Sequence, residues 1–136
     1  MVSVRVMIVR VDFRPGNFPE ISHVYNTYDI IVLGHVCRTE GPDLAPKLIK
    51  RAVNALKPGG MLLVADYCAD NERKLNAFGI QMGMTMLANT LRGRILTNEQ
   101  MYNWLSSQAL ESIRVVEPIG FNMVYVATKI VDKRAL

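Results

Sequence analysis

Apolar and polar residues alternate at the start of the chain, with Val2, Val4, Val6 and Ile8 separated by Ser3, Arg5 and Met7. A period of two predicts a strand, and Val9, Val11 and Phe13 continue it after a slip that reads as a bulge or a break. Arg14-Pro15-Gly16-Asn17 stops it, because neither proline nor glycine suits a central strand. Residues 18–27 read as irregular connection. Two later stretches, Tyr28 to Val36 and Met61 to Tyr67, are continuously apolar rather than alternating. That pattern predicts parallel strands covered on both faces. Between them Leu44, Leu48, Ile49, Ala52, Val53 and Leu56 fall at helical spacing, with Asp43 as N-cap and Pro46 in the first turn. Lys57-Pro58-Gly59-Gly60 reads as the turn that ends this helix. The result is a right-handed βαβ unit. Ligands of open α/β sheets bind beyond the carboxyl ends of the strands, here Gly34 to Arg38 and Asp66 to Cys68.

After a polar link, a helix is expected from about Glu72 to Leu91, closed by Gly93. Its apolar set is wide: Leu75, Phe78, Ile80, Met82, Met84, Met86 and Leu87. Thr97-Asn98-Glu99-Gln100 is a capping box, with Leu96 and Met101 placed as a hydrophobic staple. Met101, Trp104, Leu105 and Ala109 then face inward along a helix ending near Gln108. Strands over Ser112 to Glu117 and Asn122 to Thr128 are joined so closely, through Pro118-Ile119-Gly120, that they must pair antiparallel.

Composition narrows the class. Residues 1–136 fit one domain, and half of them are hydrophobic, so the chain is globular. No run reaches the length of a membrane span, and the start lacks a secretory layout, which gives a cytoplasmic expectation with no membrane partner. The net charge of +4 is spread over helix faces and the tail without a basic, aromatic-interleaved stripe, so no nucleic-acid partner is expected. Cys37 and Cys68 make no disulfide framework. With His35 they suggest a metal site only loosely, since the spacing fits no ligand pattern and small apolar filling explains them; no metal is expected.

The segments Asp29-Ile30-Ile31-Val32-Leu33 with His35-Val36, and Ala55-Leu56-Lys57-Pro58-Gly59-Gly60-Met61-Leu62-Leu63-Val64-Ala65-Asp66, resemble strands four and five of class I S-adenosylmethionine-dependent methyltransferases. Gly93-Arg94-Ile95-Leu96-Thr97, and the methionine-rich helix before it, resemble the small-molecule O-methyltransferase branch. Arg14-Pro15-Gly16-Asn17-Phe18 is similar to that branch's loop after strand three. The resemblance spans roughly residues 9 to 129. It implies an α/β, Rossmann-like methyltransferase sheet truncated to strands three to seven, parallel with a carboxyl-terminal antiparallel hairpin, strands one and two missing. It also implies S-adenosylmethionine as cofactor and a small-molecule acceptor. The Gly-x-Gly-x-Gly loop that would grip the cofactor, and the family's dimerising amino-terminal domain, have no counterpart in the sequence.

The resemblance assigns roles residue by residue. Asn17 stands where the family's aspartate meets adenine, with Phe18 lining the base; a turn asparagine is the alternative. Gly34 and His35 fall on the cofactor rim. His35 is otherwise a packed histidine. Arg38 occupies the histidine base's position, but an arginine stays protonated and cannot remove a proton. It can clamp an anionic acceptor or pair with Asp66 or Glu40. Asp66 matches one of the two carboxylates that orient the family's histidine, and the second falls at Ile95, which cannot replace it. Tyr67, Phe78, Met82 and Met86 correspond to acceptor-pocket positions, although methionines at helical spacing also serve as ordinary core.

Without the base, suitable acceptors are carbon nucleophiles, already ionised oxygens or amines. The other reading is a non-catalytic remnant that acts as an oligomerisation or protein-interaction module. Removing strands one and two leaves strand four as an apolar edge unless residues 2–13 cover it, which predicts a homodimer or larger assembly.

Overall fold

The computed structural model of the protein describes residues 11–17, 24–116 and 120–132. Its elements are β1 (Tyr28–Gly34), α1 (Cys37–Ala55), β2 (Leu56–Asp66), α2 (Ala77–Asn89), α3 (Asn98–Ser106), β3 (Leu110–Val116) and β4 (Met123–Lys129). The strands form one mixed sheet in the order β1-β2-β4-β3. β1 runs parallel to β2, from Ile30 opposite Met61 to Gly34 opposite Ala65. β4 lies antiparallel to β2 on its other side, and β3 pairs antiparallel with β4. The βαβ unit and the closing hairpin are therefore both present.

The core lies on one side of this sheet. Leu62, Val64, Tyr125 and Ala127 are buried there with Ile49, Ala52 and Val53 of α1 and Met101 and Leu105 of α3. Full burial of the Ile49 side chain contributes about 1.5–3 kcal/mol. The opposite side departs from expectation. Ile30 and Val32 remain 60% and 62% exposed, and Met61 is exposed beside them. A continuous apolar run marks a strand with two oily faces, but it does not say whether the same chain covers both. Among the described residues β1 is the outermost strand on its side of the sheet.

Other boundaries shift for identifiable reasons. The alternating strand at the start lies mostly outside the described residues; where it is described, at residues 11–13, the backbone is irregular and exposed. α1 begins at Cys37, ahead of Asp43, and carries a break at Gly41 (φ 71°, ψ −178°). Its N-cap, Val36, offers no side-chain cap. The Asp66 carboxylate does that work from the neighbouring strand, accepting the Arg38 backbone N–H at 3.1 Å. Lys57-Pro58-Gly59-Gly60 lies inside β2 as an irregularity in pairing, since Tyr28 faces Leu56 but Ile30 already faces Met61.

α2 starts at Ala77 rather than near Glu72. The Asp70 carboxylate accepts backbone N–H groups of Lys74, Leu75 and Asn76 and winds residues 71–76 into a loop. Asn76 then caps the helix, accepting from Gly79 N–H at 3.0 Å, while its amide donates to the Cys68 carbonyl at 2.7 Å. Thr90, not Gly93, closes α2: its N–H and hydroxyl both donate to the Met86 carbonyl. The backbone N–H groups of Asn76, Lys74 and Leu75 hold the Asp70 carboxyl at a pKa of about 2, below its ordinary value. A lowered pKa means the loop's stabilisation is complete above the unfolded value of about 3.9 and is lost as pH falls through about 2. Amide exchange at Lys74, Leu75 and Asn76 should thus accelerate between those limits; unchanged protection at the low end would show the carboxylate to be irrelevant to the loop.

The capping box of α3 forms as expected. Thr97 Oγ1 accepts from Gln100 N–H at 3.2 Å and Gln100 Oε1 accepts from Thr97 N–H at 3.0 Å. Leu96 and Met101 beside it are buried. Thr97→Ala should cost about 1 kcal/mol in urea unfolding, and Thr97→Ser should recover most of it. Ala109 is exposed and lies past the end of α3, so it takes no part in the inward face expected of it.

Candidate functional site

The carboxyl ends of β1 and β2 lie side by side, and the chemistry-bearing residues collect there. Gly34 faces Ala65, and His35 N–H donates to the Ala65 carbonyl at 2.8 Å. His35 itself has φ 57°, a left-handed turn that lifts the chain off the strand and into α1. One turn on, Arg38 folds back over the rim. Its Nη1 donates to Asp66 Oδ1 at 2.7 Å and to His35 Nδ1 at 3.0 Å. Since arginine has no acceptor, His35 accepts at Nδ1 and keeps its ring proton on Nε2. In this arrangement His35 presents an N–H, not a lone pair, and is no substitute base.

Asp66 is fully buried and Arg38 nearly so. Besides the salt bridge, Asp66 accepts the backbone N–H groups of Arg38 and Tyr67. Burying such a pair is tolerable only when the remaining lone pairs are filled in this way. Arg38 is less complete: its Nε is buried with no acceptor, and no hydrogen bond reaches Nη2 among the described residues. The alternative partner Glu40 makes no ion pair with Arg38 among the described residues.

Aromatic rings continue from this cluster. The guanidinium carbon lies 4.9 Å from the Tyr67 ring centroid, and His35 packs on the same ring at 4.6 Å. Tyr67 meets Phe78 edge-on at 5.0 Å, and Phe78 stacks on Phe121 at 4.4 Å. Phe121 is 61% exposed, so the row leads from the surface inward to Arg38. Phe121 was not anticipated; its one sequence signal is a large aromatic next to the turn glycine Gly120.

The remaining candidates divide. Met86 sits close to the first turn of α1, its sulfur accepting from the Thr39 hydroxyl at 3.5 Å. Met82 is half-buried on the same helix, whereas Met84 opens onto an outer groove shared with Lys74, Gln81 and Thr85. Asn17 is exposed, and no hydrogen bond among the described residues ties it to the rim. Phe18 lies outside the described residues. Cys37 and Cys68 are fully buried, and burial, reinforced by Asp66, pushes both thiols up, that of Cys68 to about 12. They are inert filler, and no group of three metal-ligating side chains occurs among the described residues.

The parallel βαβ unit continued by an antiparallel hairpin is similar in fold to solved O-methyltransferases. The chain is 29% identical over 101 residues to the tetracenomycin polyketide synthesis 8-O-methyl transferase TcmO of Streptomyces glaucescens, covering 74% of this chain and 30% of that protein. An O-methyltransferase family protein from Burkholderia thailandensis superposes with a TM-score of 0.80 at 18% identity, over 97% of this chain and 40% of its own. Human N-acetylserotonin methyltransferase, in complex with S-adenosylmethionine, gives 0.76 at 22% identity, over 88% and 34% respectively. No family model matches the sequence. The chain thus spans well under half the length of these proteins.

Against such a nucleoside the residues present offer an open rim at Gly34, where an added Cβ would meet nothing within 4 Å. They offer no Gly-x-Gly-x-Gly cradle.

Proposed function

We propose that this chain is the carboxyl-terminal, acceptor-side part of an S-adenosylmethionine-dependent O-methyltransferase-like domain acting on a small molecule, with no counterpart in it to strands one and two of the family's sheet. The observation that carries this reading is the pair of parallel strands whose carboxyl ends hold Gly34, His35, Arg38 and Asp66 in one cluster. In this reading Gly34 and His35 border the cofactor, Asn17 and Phe18 approach its base, and Tyr67, Phe78, Met82 and Met86 wall the acceptor. Arg38 and Asp66 take the catalytic positions, with Arg38 an electrostatic group rather than a base. Calorimetry of the full chain with S-adenosylhomocysteine tests it: micromolar binding supports the enzyme reading, and no heat at millimolar ligand removes it for the isolated chain.

A second reading has its own observation. Among the described residues β1 is the outermost strand, with Ile30 and Val32 exposed, and such an edge is prone to pair with another chain. Under this reading the chain is a methyltransferase-like interaction module that forms a homodimer. Sedimentation showing a monodisperse monomer would count against it.

A further inference from the structure

We propose that two copies of the chain pair antiparallel through β1, centred on Ile31, so that Tyr28 of each subunit packs over Gly34 of the other. This deepens the interaction-module reading and rests on it, and it adds a residue from the partner to the rim of the candidate site. The backbone sets the register. At one end of β1 Thr27 N–H donates to the Ala55 carbonyl, and at the other His35 N–H donates to the Ala65 carbonyl, both at 2.8 Å. Backbone groups alternate sides along a strand, so those of Tyr28, Ile30, Val32 and Gly34 point to the edge away from β2. No strand pairs with that edge among the described residues. β1 is seven residues long, with Ile31 at its centre. Full antiparallel overlap therefore sets Ile30 opposite Val32, and Tyr28 opposite Gly34, across a two-fold axis. Each of those pairs then exchanges both of its N–H···O=C bonds.

The side chains suit this register. Exposed Ile30 and Val32 become direct cross-strand neighbours. Tyr28, also exposed, falls opposite a glycine at which an added Cβ would meet nothing within 4 Å. A ring over an edge glycine is a favoured cross-strand pair. Charge is compatible as well. Asp29, the one charged residue of β1, falls opposite Leu33 rather than its own copy and keeps Lys57 as its partner at 2.9 Å, so like charges do not meet. The other edge of the sheet is guarded. β3 has an irregular register between Glu111 and Arg114, both exposed charges, and Ser112 between them has φ 54°. The outward-bonding residues of β1 carry no charge and no proline. Gly34 immediately precedes His35, which accepts from Arg38, so Tyr28 of the partner subunit becomes a wall of the rim at that point.

The test uses the full chain with Cys37 and Cys68 in place, since both are fully buried. Tyr28→Cys and Gly34→Cys both fall at exposed positions, and they are made singly and together. Under mild oxidation the double variant should become a disulfide-linked dimer, because facing residues of a hydrogen-bonded pair stand about 5.5 Å apart. Each single variant should stay unlinked, because identical positions then lie about 20 Å apart along the ladder. Val32→Lys, also at an exposed position, puts a charge on the pairing edge and should sediment as a monomer at a concentration where the native chain is a dimer. A native dimer whose double variant does not link, or one that Val32→Lys leaves intact, overturns the proposal and spares the homodimer reading. A monomeric native chain, as when another segment of the same chain occupies the edge, removes both.

Discussion

Asp66→Ala is expected to destabilise the protein by about 3–5 kcal/mol, the cost of leaving a buried charge without its partner. Asp66 is fully enclosed, and its loss strands the backbone N–H groups of Arg38 and Tyr67 and leaves Arg38 Nη1 with His35 but no counter-charge. The first turn of α1 loses its only cap as well, because Val36 provides none. The effect should therefore be structural before it is functional. Urea unfolding of the purified variant measures it. Asp66→Asn separates the components, since an amide oxygen can still accept a backbone N–H but supplies no charge. A loss under about 1 kcal/mol for Asp66→Ala would mean that the ion pair does not hold the rim together in solution.

Gly41→Ala should be nearly as damaging, at about 3 kcal/mol or more. Gly41 combines φ 71° with ψ −178°, a region of backbone space that is essentially glycine's alone. A Cβ there would also drive into the backbone carbonyl of Arg92, which cannot swing aside as a side chain could. The break separates the turn that carries Arg38 from the rest of α1, and the loop packed against that turn is tied to it by Arg94 N–H donating to the Arg38 carbonyl at 3.1 Å. Displacing this loop should move Arg38 relative to Asp66, so the variant should lose stability through the buried ion pair as well. A Gly41→Ala protein with an unchanged unfolding midpoint would show that the helix can close over the break.

Both effects concern features only half visible in the sequence. The continuous apolar runs before Gly34 and Asp66 identified the parallel strands, and the connection through Gly120 was short enough to dictate a hairpin. The capping box at Thr97 to Gln100 formed as written because all its partners lie within one turn. By contrast, Gly41-Pro42-Asp43 reads as a helix start, and the structure shows a helix already running. The missing information was the Asp66 carboxylate, which caps that helix from 28 residues away in the chain. The start of α2 was misplaced for a similar reason: residues 72–76 have a tolerable helical pattern, but Asp70 captures three of their amides.

The site divides in the same way. Arg38 and Asp66 were recognisable as candidates from their places after the two strands, and arginine's permanent charge excluded it as a base before any geometry was known. Their direct contact was one of several options. The role of His35 as an acceptor from Arg38, and the membership of Phe121 in the aromatic row, follow from distances between elements and have no local signature.

What the sequence determined by itself is local: that the apolar runs before Gly34 and Asp66 are strands, that the helix after Thr97 caps itself, and that no group at position 38 can take up a proton. Periodicity, turn chemistry and the identity of a side chain suffice for these. Only the tertiary structure decided that one face of the sheet is covered while Ile30, Val32 and Met61 stay exposed on the other, that Asp66 caps α1, and that four rings run in a row from a guanidinium. These outcomes depend on which surfaces meet across tens of residues, where burial and desolvation outweigh local preference.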